Sequence, residues 1–391
     1  MTEALITASM LEWARKRNSY TITGAAQKLN VAVEKLEAWE QGRERPTLRK
    51  AQDLARKFKI PFGYLYLSEP PKETLPIPDL RTKAGSPPRK PSPDFLDIAY
   101  DALRKQDWYR DYLKNEQADK VPFVGRFTSS SPTLAIAEDI QRTLHLDHAL
   151  RHSAIGRDDF FNQLTLRAER AGVIVLRSGI VGSNTKRPLD PKEFQGFAIS
   201  DPMAPLVFVN TRDFKAAQVF TFVHELTHIW MGVSGVSGTE YLAKPSDQPN
   251  DDERIADAVA AEVLVPDEDF ELRWRKDTSI EENLRDLAKY YRVSMFVVLR
   301  RAYEMDFIEY EVFKKQYEEL RKNVHRIPKQ TGGGGYGVIV WRNSWTITST
   351  LLSSFLEGTT SPKETSALLN MRSSVLPALA SYFGFTKREN A

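Results

Sequence analysis

Cysteine is absent from the 391 residues, and histidine occurs only 6 times. The absence of cysteine excludes disulfides, thiolate-bound metals and a thiol nucleophile, so a metal site in this chain has to use histidine and carboxylate side chains. No uninterrupted apolar run reaches the roughly 18 residues of a membrane span. The first residues lack the basic segment followed by an apolar run that marks a signal peptide. A cytoplasmic protein without membrane contact is therefore the expectation.

Charge is nearly balanced over the whole chain but uneven along it. The formal net charge is +3, while residues 1–68 carry 12 Lys and Arg against 7 Asp and Glu. A surplus of positive charge in the first domain favours contact with phosphates. The hydrophobic content of 41% and the charged content of 27% are typical of a globular protein. A chain of this length is expected to form two or three domains.

The segment Val219–Met231 contains the pattern H-E-x-x-H, with histidines at positions 224 and 228. On an α-helix, residues four apart share a face, so His224 and His228 can reach one metal ion. Two neutral imidazoles leave room for a third protein ligand and a water, as in a catalytic zinc site. Zinc lowers the pKa of such a water to near neutrality, and Glu225 is the predicted general base that takes its proton.

A second amphipathic helix is predicted over Asp251–Pro266, with an apolar stripe and acidic residues at its edge. Glu253 is the preferred third metal ligand. Asp257, one turn further, is placed to accept an imidazole N–H and so fix the histidine tautomer. Glu262 is the rival ligand, but it lies about half a turn around the helix from Glu253, so the two cannot face the same ion.

The two segments FTFVHELTHIW and ERIADAVAAEVLVP resemble the ImmA/IrrE family of metallopeptidases over roughly residues 161–320. Asp257 stands where the family more often has Asn, and Val259 where it has Phe. The resemblance implies a peptidase that cleaves a repressor-type protein at a specific site after a stress or mobile-element signal. Two imidazoles and a carboxylate favour Zn²⁺ as cofactor, with manganese and iron left open.

Residues 1–68 show short helical segments separated by tight turns, and they resemble an XRE-type helix-turn-helix domain. The match rests on Trp39-Glu40-Gln41-Gly42 and on Pro46-Thr47. In such domains the second helix of the motif enters the major groove by its N-terminal residues. A module for dimerisation or partner docking is the alternative to DNA binding. The predicted DNA-binding residues are Glu34 and Lys35 at the groove, and Arg43, Arg45 and Arg49 at the DNA backbone.

The predicted fold is multidomain and mainly α-helical, with a small antiparallel β-sheet. The helix-turn-helix is all-α, the central domain is α+β and zincin-like with a helical subdomain, and the C-terminal domain is small. Short strands are expected within Gly337–Ser349, and Tyr241 is interpreted as a surface residue rather than an oxyanion stabiliser. The predicted boundaries are 1–68 for the helix-turn-helix, 69–95 for a Pro-rich linker, 96–160 for connecting helices, 161–330 for the peptidase domain and 336–391 for the C-terminal domain.

The sequence thus predicts a cytoplasmic zinc endopeptidase and transcriptional regulator that acts in stress response, phage defence or toxin–antitoxin control. Its expected partner is a repressor-like protein substrate, with DNA and a second copy of the chain as further candidates. The strand nearest the metal is expected to offer its edge to an extended substrate. The alternative is a DNA-binding regulator or antitoxin whose metal site is vestigial or senses metal.

Overall fold

The computed structural model describes residues 2–79, 91–237, 251–323 and 335–385. Its contacts divide the chain into two compact units. The first comprises Met1–Pro76 and Lys90–Asp97, and the second Ile77–Arg89 and Ile98–Ala391. Both units are mainly helical where they are described. None of the described helices has the length and apolar character needed to cross a bilayer.

The first unit is a cluster of short helices around a small apolar core. Thr21 and Thr47 cap two of them, because each hydroxyl accepts an N–H from the first turn. The guanidinium of Arg15 donates two hydrogen bonds of 2.8 Å to the carboxylate of Glu40, which ties the first helix to the third. The elements are α1 (Ala8–Arg17), α2 (Ile22–Leu29), α3 (Val33–Glu40), α4 (Leu48–Lys57) and a 3₁₀ turn (Phe62–Tyr66).

The helices between residues 133 and 323 share one apolar core with strands of a small sheet. Ser279 caps one of them as the capping box predicts, since its hydroxyl accepts the N–H of Glu282 at 3.2 Å. The helices that follow α4 along the chain are α5 (Pro93–Asn115), α6 (Thr133–Thr143), α7 (His148–Ser153), α8 (Arg157–Arg170), α9 (Lys215–Met231), α10 (Asp251–Leu264), α11 (Asp267–Arg273), α12 (Ile280–Tyr291), α13 (Met295–Glu304), α14 (Tyr310–Asn323), α15 (Tyr336–Asn343), α16 (Trp345–Leu356), α17 (Pro362–Leu368) and α18 (Leu376–Tyr382).

The main sheet is mixed, so the prediction of an antiparallel sheet is wrong in one pairing. The strands are β1 (Ile174–Ser178), β2 (Ile180–Val181), β3 (Asn184–Pro188), β4 (Gly196–Ile199), β5 (Leu206–Asn210) and β6 (Gly235–Ser237). The order is β1-β5-β4-β6, with β1 parallel to β5, while β2 and β3 form a separate hairpin. After β1 the chain reverses before β4, and the turn into β5 reverses it again. Continuous apolar runs such as those of β1 and β5 are typical of buried parallel strands.

Helices α9 and α10 pack together, and α9 also packs on β4 and β5. The apolar stripe predicted for α10 is buried throughout, from Ile255 to Leu264. Burial of several apolar side chains, each contributing about 1.5–3 kcal/mol, holds the two helices against the sheet. Their facing surfaces carry the polar residues of the predicted metal site.

The prediction of strands within Gly337–Ser349 is wrong, because α15 and α16 occupy this stretch. Ser344 separates the two helices at φ +69°, and its hydroxyl caps α16 by accepting the N–H of Ile347. This stretch contains β-branched and aromatic residues, whose preference for strands is overridden by this cap and by packing. Helix α15 lies beside β1, where the guanidinium of Arg177 is 5.1 Å from the ring centroid of Trp341.

Candidate metal centre

Helix α9 carries both motif histidines into the interior of the second unit. The helix is apolar on most faces and ends at Gly232, whose φ of +73° is the left-handed conformation that glycine adopts without strain. His224, Glu225 and His228 are all 0% exposed. Buried polar side chains require partners, so their surroundings define the site.

The two histidines and Glu253 converge on one point. The Nε2 atoms of His224 and His228 are 3.1 Å apart, and the carboxylate oxygens of Glu253 lie 3.5 Å and 3.1 Å from them respectively. Ligands at about 2.05 Å from a tetrahedral zinc ion are separated by about 3.3 Å. The three side chains therefore fit such an ion, with a fourth position left for another ligand.

Asp257 fixes the orientation of the first histidine. Its Oδ1 lies 2.8 Å from Nδ1 of His224. In the tautomer that carries the proton on Nδ1, the imidazole donates to this carboxylate and leaves the lone pair of Nε2 facing Glu253 and His228. The Nδ1 atom of His228 has no corresponding hydrogen-bond partner among the described residues. Only one of the two histidines is thus held by a carboxylate at its Nδ1 atom.

Glu225 is held against the sheet by residues that the sequence did not single out. The hydroxyl of Ser237 in β6 donates to Oε2 of Glu225 at 3.4 Å. A Cβ atom placed on Gly196 in β4 would meet Oε1 at 2.6 Å, so only glycine leaves space for this carboxylate. Ser237 and Gly196 carry no motif, and only the pairing of β4 with β6 brings them to Glu225.

Burial and neighbouring charges shift the pKa values of the acidic groups in different directions. Burial raises the pKa of Glu225 well above its ordinary value. Burial also acts to raise the pKa of Glu253, but the two adjacent imidazoles outweigh it and hold this pKa at about 2. Burial lowers the pKa of His224, whereas Glu253 and Asp257 raise it more strongly, so the net shift is upward. Glu253 therefore stays ionised and Glu225 holds a proton readily.

Glu262, the rival ligand, is directed elsewhere. Its carboxylate forms an ion pair with Arg301 and accepts the N–H of Asp267 at 3.4 Å. Among the described residues, the cluster that can hold a metal consists of His224, His228 and Glu253. The half-turn separation on α10 explains why one carboxylate reaches the histidines and the other does not.

The residues predicted for DNA contact all lie on the surface of the first unit. Glu34 and Lys35 are exposed in the first turn of α3, and Arg43, Arg45 and Arg49 are exposed between α3 and the start of α4. Arg43 also donates from Nε to Oε1 of Gln41 at 2.8 Å. Tyr241 and the linker residues 80–90 lie outside the described residues.

Two family models match separate parts of the chain. Residues 168–303 match the IrrE N-terminal-like domain, Peptidase_M78, and this range contains α9, α10 and the whole cluster described above. Residues 11–65 match a helix-turn-helix family. No curated protein matches the chain. The chain thus joins an N-terminal segment that matches a helix-turn-helix family to a segment that matches the IrrE N-terminal-like peptidase domain, in line with the two resemblances seen in the sequence.

Proposed function

We propose that this protein is a zinc-dependent, site-specific endopeptidase that cleaves or controls a repressor-type protein in stress response, phage defence or toxin–antitoxin regulation. The convergence of His224, His228 and Glu253 within 3.1–3.5 Å, beside the buried Glu225, is the observation that carries the proposal. Its peptidase family supports the reaction class. A helix-turn-helix in the same chain supports a role in transcription.

The side chains divide the work of peptide hydrolysis between them. His224, His228 and Glu253 would hold the cation, which when bound supplies Lewis-acid polarisation of the scissile carbonyl and activation of water. Glu225 accepts the proton of the attacking water and returns it to the amine that leaves. Its raised pKa suits this transfer because burial favours the protonated form between the two steps. Ser237 donates a hydrogen bond to Oε2 of Glu225 and so keeps this carboxylate in position during the proton transfer.

Elemental analysis tests the cation site directly. Wild-type protein is expected to bind one equivalent of zinc, and His228→Ala and Glu253→Gln are expected to lose it. Glu262→Gln is the matched control, because this carboxylate lies on the same helix but pairs with Arg301. Retained zinc in Glu253→Gln, or its loss in Glu262→Gln, would overturn the ligand assignment.

The peptidase reaction is tested by labelling new protein N-termini in a cell lysate incubated with zinc-loaded protein. Wild type is expected to generate a small set of new termini, and Glu225→Gln to generate none while it keeps its zinc. Loss of the carboxylate base without loss of the ligands separates catalysis from metal binding. Identical termini with both proteins would refute the role of Glu225.

We propose that the first unit binds DNA sequence-specifically in the cytoplasm, with the protein acting as a monomer or as a dimer. Glu34 and Lys35 contact base edges, and Arg43, Arg45 and Arg49 contact phosphates. The exposure of all five side chains supports this assignment. Binding of a genomic fragment library, followed by sequencing of the retained fragments, identifies the operator.

A second candidate function is a DNA-binding regulator or antitoxin with a vestigial or metal-sensing site. The complete burial of His224, Glu225 and His228 favours it, since a substrate must reach these residues during turnover. In that case Glu225→Gln leaves operator binding and the regulatory response unchanged. A peptidase-dependent regulator loses its response with the same substitution.

A further inference from the structure

The outer edge of strand β6 is not open to an incoming peptide. Strand β6 ends the sheet, and its inner side pairs antiparallel with β4. Alternate residues of a strand direct their backbone groups to opposite sides. In this three-residue strand, Val236 directs its N–H outward and donates it to the carbonyl oxygen of Pro78 at 2.9 Å.

The acceptor belongs to the Pro-rich segment between the two units. Asp79 forms a parallel bridge with Val236, and Ile77 is only 3% exposed. We call Ile77–Asp79 the edge strap. The edge strap belongs to the second unit and begins at the residue after Pro76, the last residue of the segment Met1–Pro76 of the first unit.

The edge strap occupies the sheet edge next to the proposed catalytic base. Ser237 follows Val236 in β6 and donates its hydroxyl to Glu225. An extended peptide that adds to this edge uses the same outward N–H of Val236 that the edge strap now holds. Strap and peptide therefore compete for one donor.

We propose that the edge strap is an autoinhibitory segment, which must leave β6 before an extended substrate can pair there. The inhibition of cleavage rests on the proposed peptidase function, whereas the competition of the edge strap and a peptide for β6 does not depend on cleavage. Pro78 has no N–H to donate, so the edge strap offers one backbone donor fewer than an ordinary strand of the same length.

Hydrogen–deuterium exchange and peptide binding test the proposal on the full chain. In Ile77→Ser, which removes the buried anchor, the amides of β6 are expected to exchange at least tenfold faster than in wild type. A fluorescent peptide with the sequence of residues 74–82 is expected to bind this variant about tenfold more tightly. Lys72→Ser is the matched control, since Lys72 is exposed in the same linker.

Pro78→Gly is the second variant, because Pro78 is exposed and its replacement removes no core side chain. This variant is also expected to show faster exchange of the β6 amides and tighter peptide binding than wild type, but by a smaller factor than Ile77→Ser. The reason is that glycine gives the released segment more conformational freedom than proline. Unchanged β6 exchange in this folded variant, or equal peptide affinity in all four proteins, would overturn the proposal. Faster exchange with tighter peptide binding but no proteolysis in lysate would uphold the edge strap and reject the peptidase.

Discussion

At the residue scale, the site depends on small features that surround the motif. The carboxylate of Glu225 needs the space that Gly196 leaves, because a Cβ there would also meet the carbonyl oxygen of Phe208 at 2.9 Å. A glycine in a strand often marks a close approach of another group, and that is its role here. The H-E-x-x-H pattern identifies the candidate reacting groups, whereas the space around them becomes visible only in the fold.

Gly196→Ala is expected to destabilise the second unit by about 1–3 kcal/mol, because the added methyl group has no room in a packed core. It is also expected to abolish cleavage by displacing Glu225. Urea unfolding and the lysate assay measure the two effects. Gly335→Ala is the control, since no atom lies within 4 Å of a Cβ at that position. Equal stability of Gly196→Ala and wild type would contradict the close approach.

Asp257 is the second residue whose role depends on another side chain. Removing a carboxylate that orients a metal-binding imidazole typically weakens metal affinity by about 10–100-fold. Asp257→Ala is therefore expected to bind zinc that much more weakly, as measured by competition with a chromophoric chelator. Asp257→Asn retains an oxygen that can accept from Nδ1 of His224, so its affinity is expected to lie between the two. Wild-type affinity in Asp257→Ala would refute the orienting role.

At the element scale, a buried acid in α8 anchors one of the C-terminal helices, α16. Glu169 in α8 accepts the N–H of Trp345 at 3.1 Å and 3.2 Å through its two oxygens, at the start of α16. Acidic side chains stabilise helix N-termini. The sequence offered no sign of this contact, because the two residues are far apart in the chain and neither belongs to a motif.

Burial raises the pKa of Glu169 to about 7, despite the hydrogen bonds that favour its ionised form. Its native pKa thus exceeds the value of about 4.3 expected in the unfolded chain. The stability that the protonated form contributes is present below this unfolded value and is lost as the pH rises through 7. Between pH 5 and 8, the free energy of unfolding of the wild type is expected to fall by up to about 3 kcal/mol relative to that of Glu169→Gln.

Urea unfolding at several pH values measures this difference. Glu311→Gln, at an exposed position in α14, serves as the control and is expected to follow wild type at each pH. Parallel curves for wild type and Glu169→Gln would show that this carboxyl keeps the same pKa in both states.

The sequence predicts helices more reliably than sheet pairing in this chain. Helices α9 and α10 are visible in the sequence because each shows apolar residues at helical spacing and a terminating Gly or Pro. Strands β2 and β6 are too short to show a pattern, and β3 is polar and mostly exposed. Pairing between distant strands leaves no local trace in the sequence. The convergence of His224, His228 and Glu253 could be predicted because spacing on two helices fixes their directions, whereas the contacts of Ser237 and the edge strap could not.

At the scale of the whole molecule, the chain joins a helix-turn-helix to a peptidase domain. Not all basic residues of the first unit are available to DNA. Arg15 forms an ion pair with Glu40. Arg17 is buried, and its Nε atom lies 2.7 Å from Oε2 of Glu73. The positive charge that remains exposed in the first unit includes Arg43 and Arg45 in the turn between α3 and α4 and Arg49 in the first turn of α4. Counting charge in the sequence therefore overstates the surface that can face a phosphate backbone.

Arg49→Ala tests whether this surface binds DNA. Each phosphate contact contributes a slope of about 0.9 to the fall of log affinity with log salt concentration. Arg49→Ala is expected to weaken binding to a random-sequence duplex and to make the slope shallower by about one, as measured by fluorescence anisotropy over a salt series. Arg285→Ala removes the same charge from an exposed position in α12, where Arg285 pairs with Glu281, and is expected to leave the slope unchanged. Equal slopes for Arg49→Ala and wild type would exclude Arg49 from the interface, and a duplex that binds neither protein would favour a docking module over a DNA-binding one.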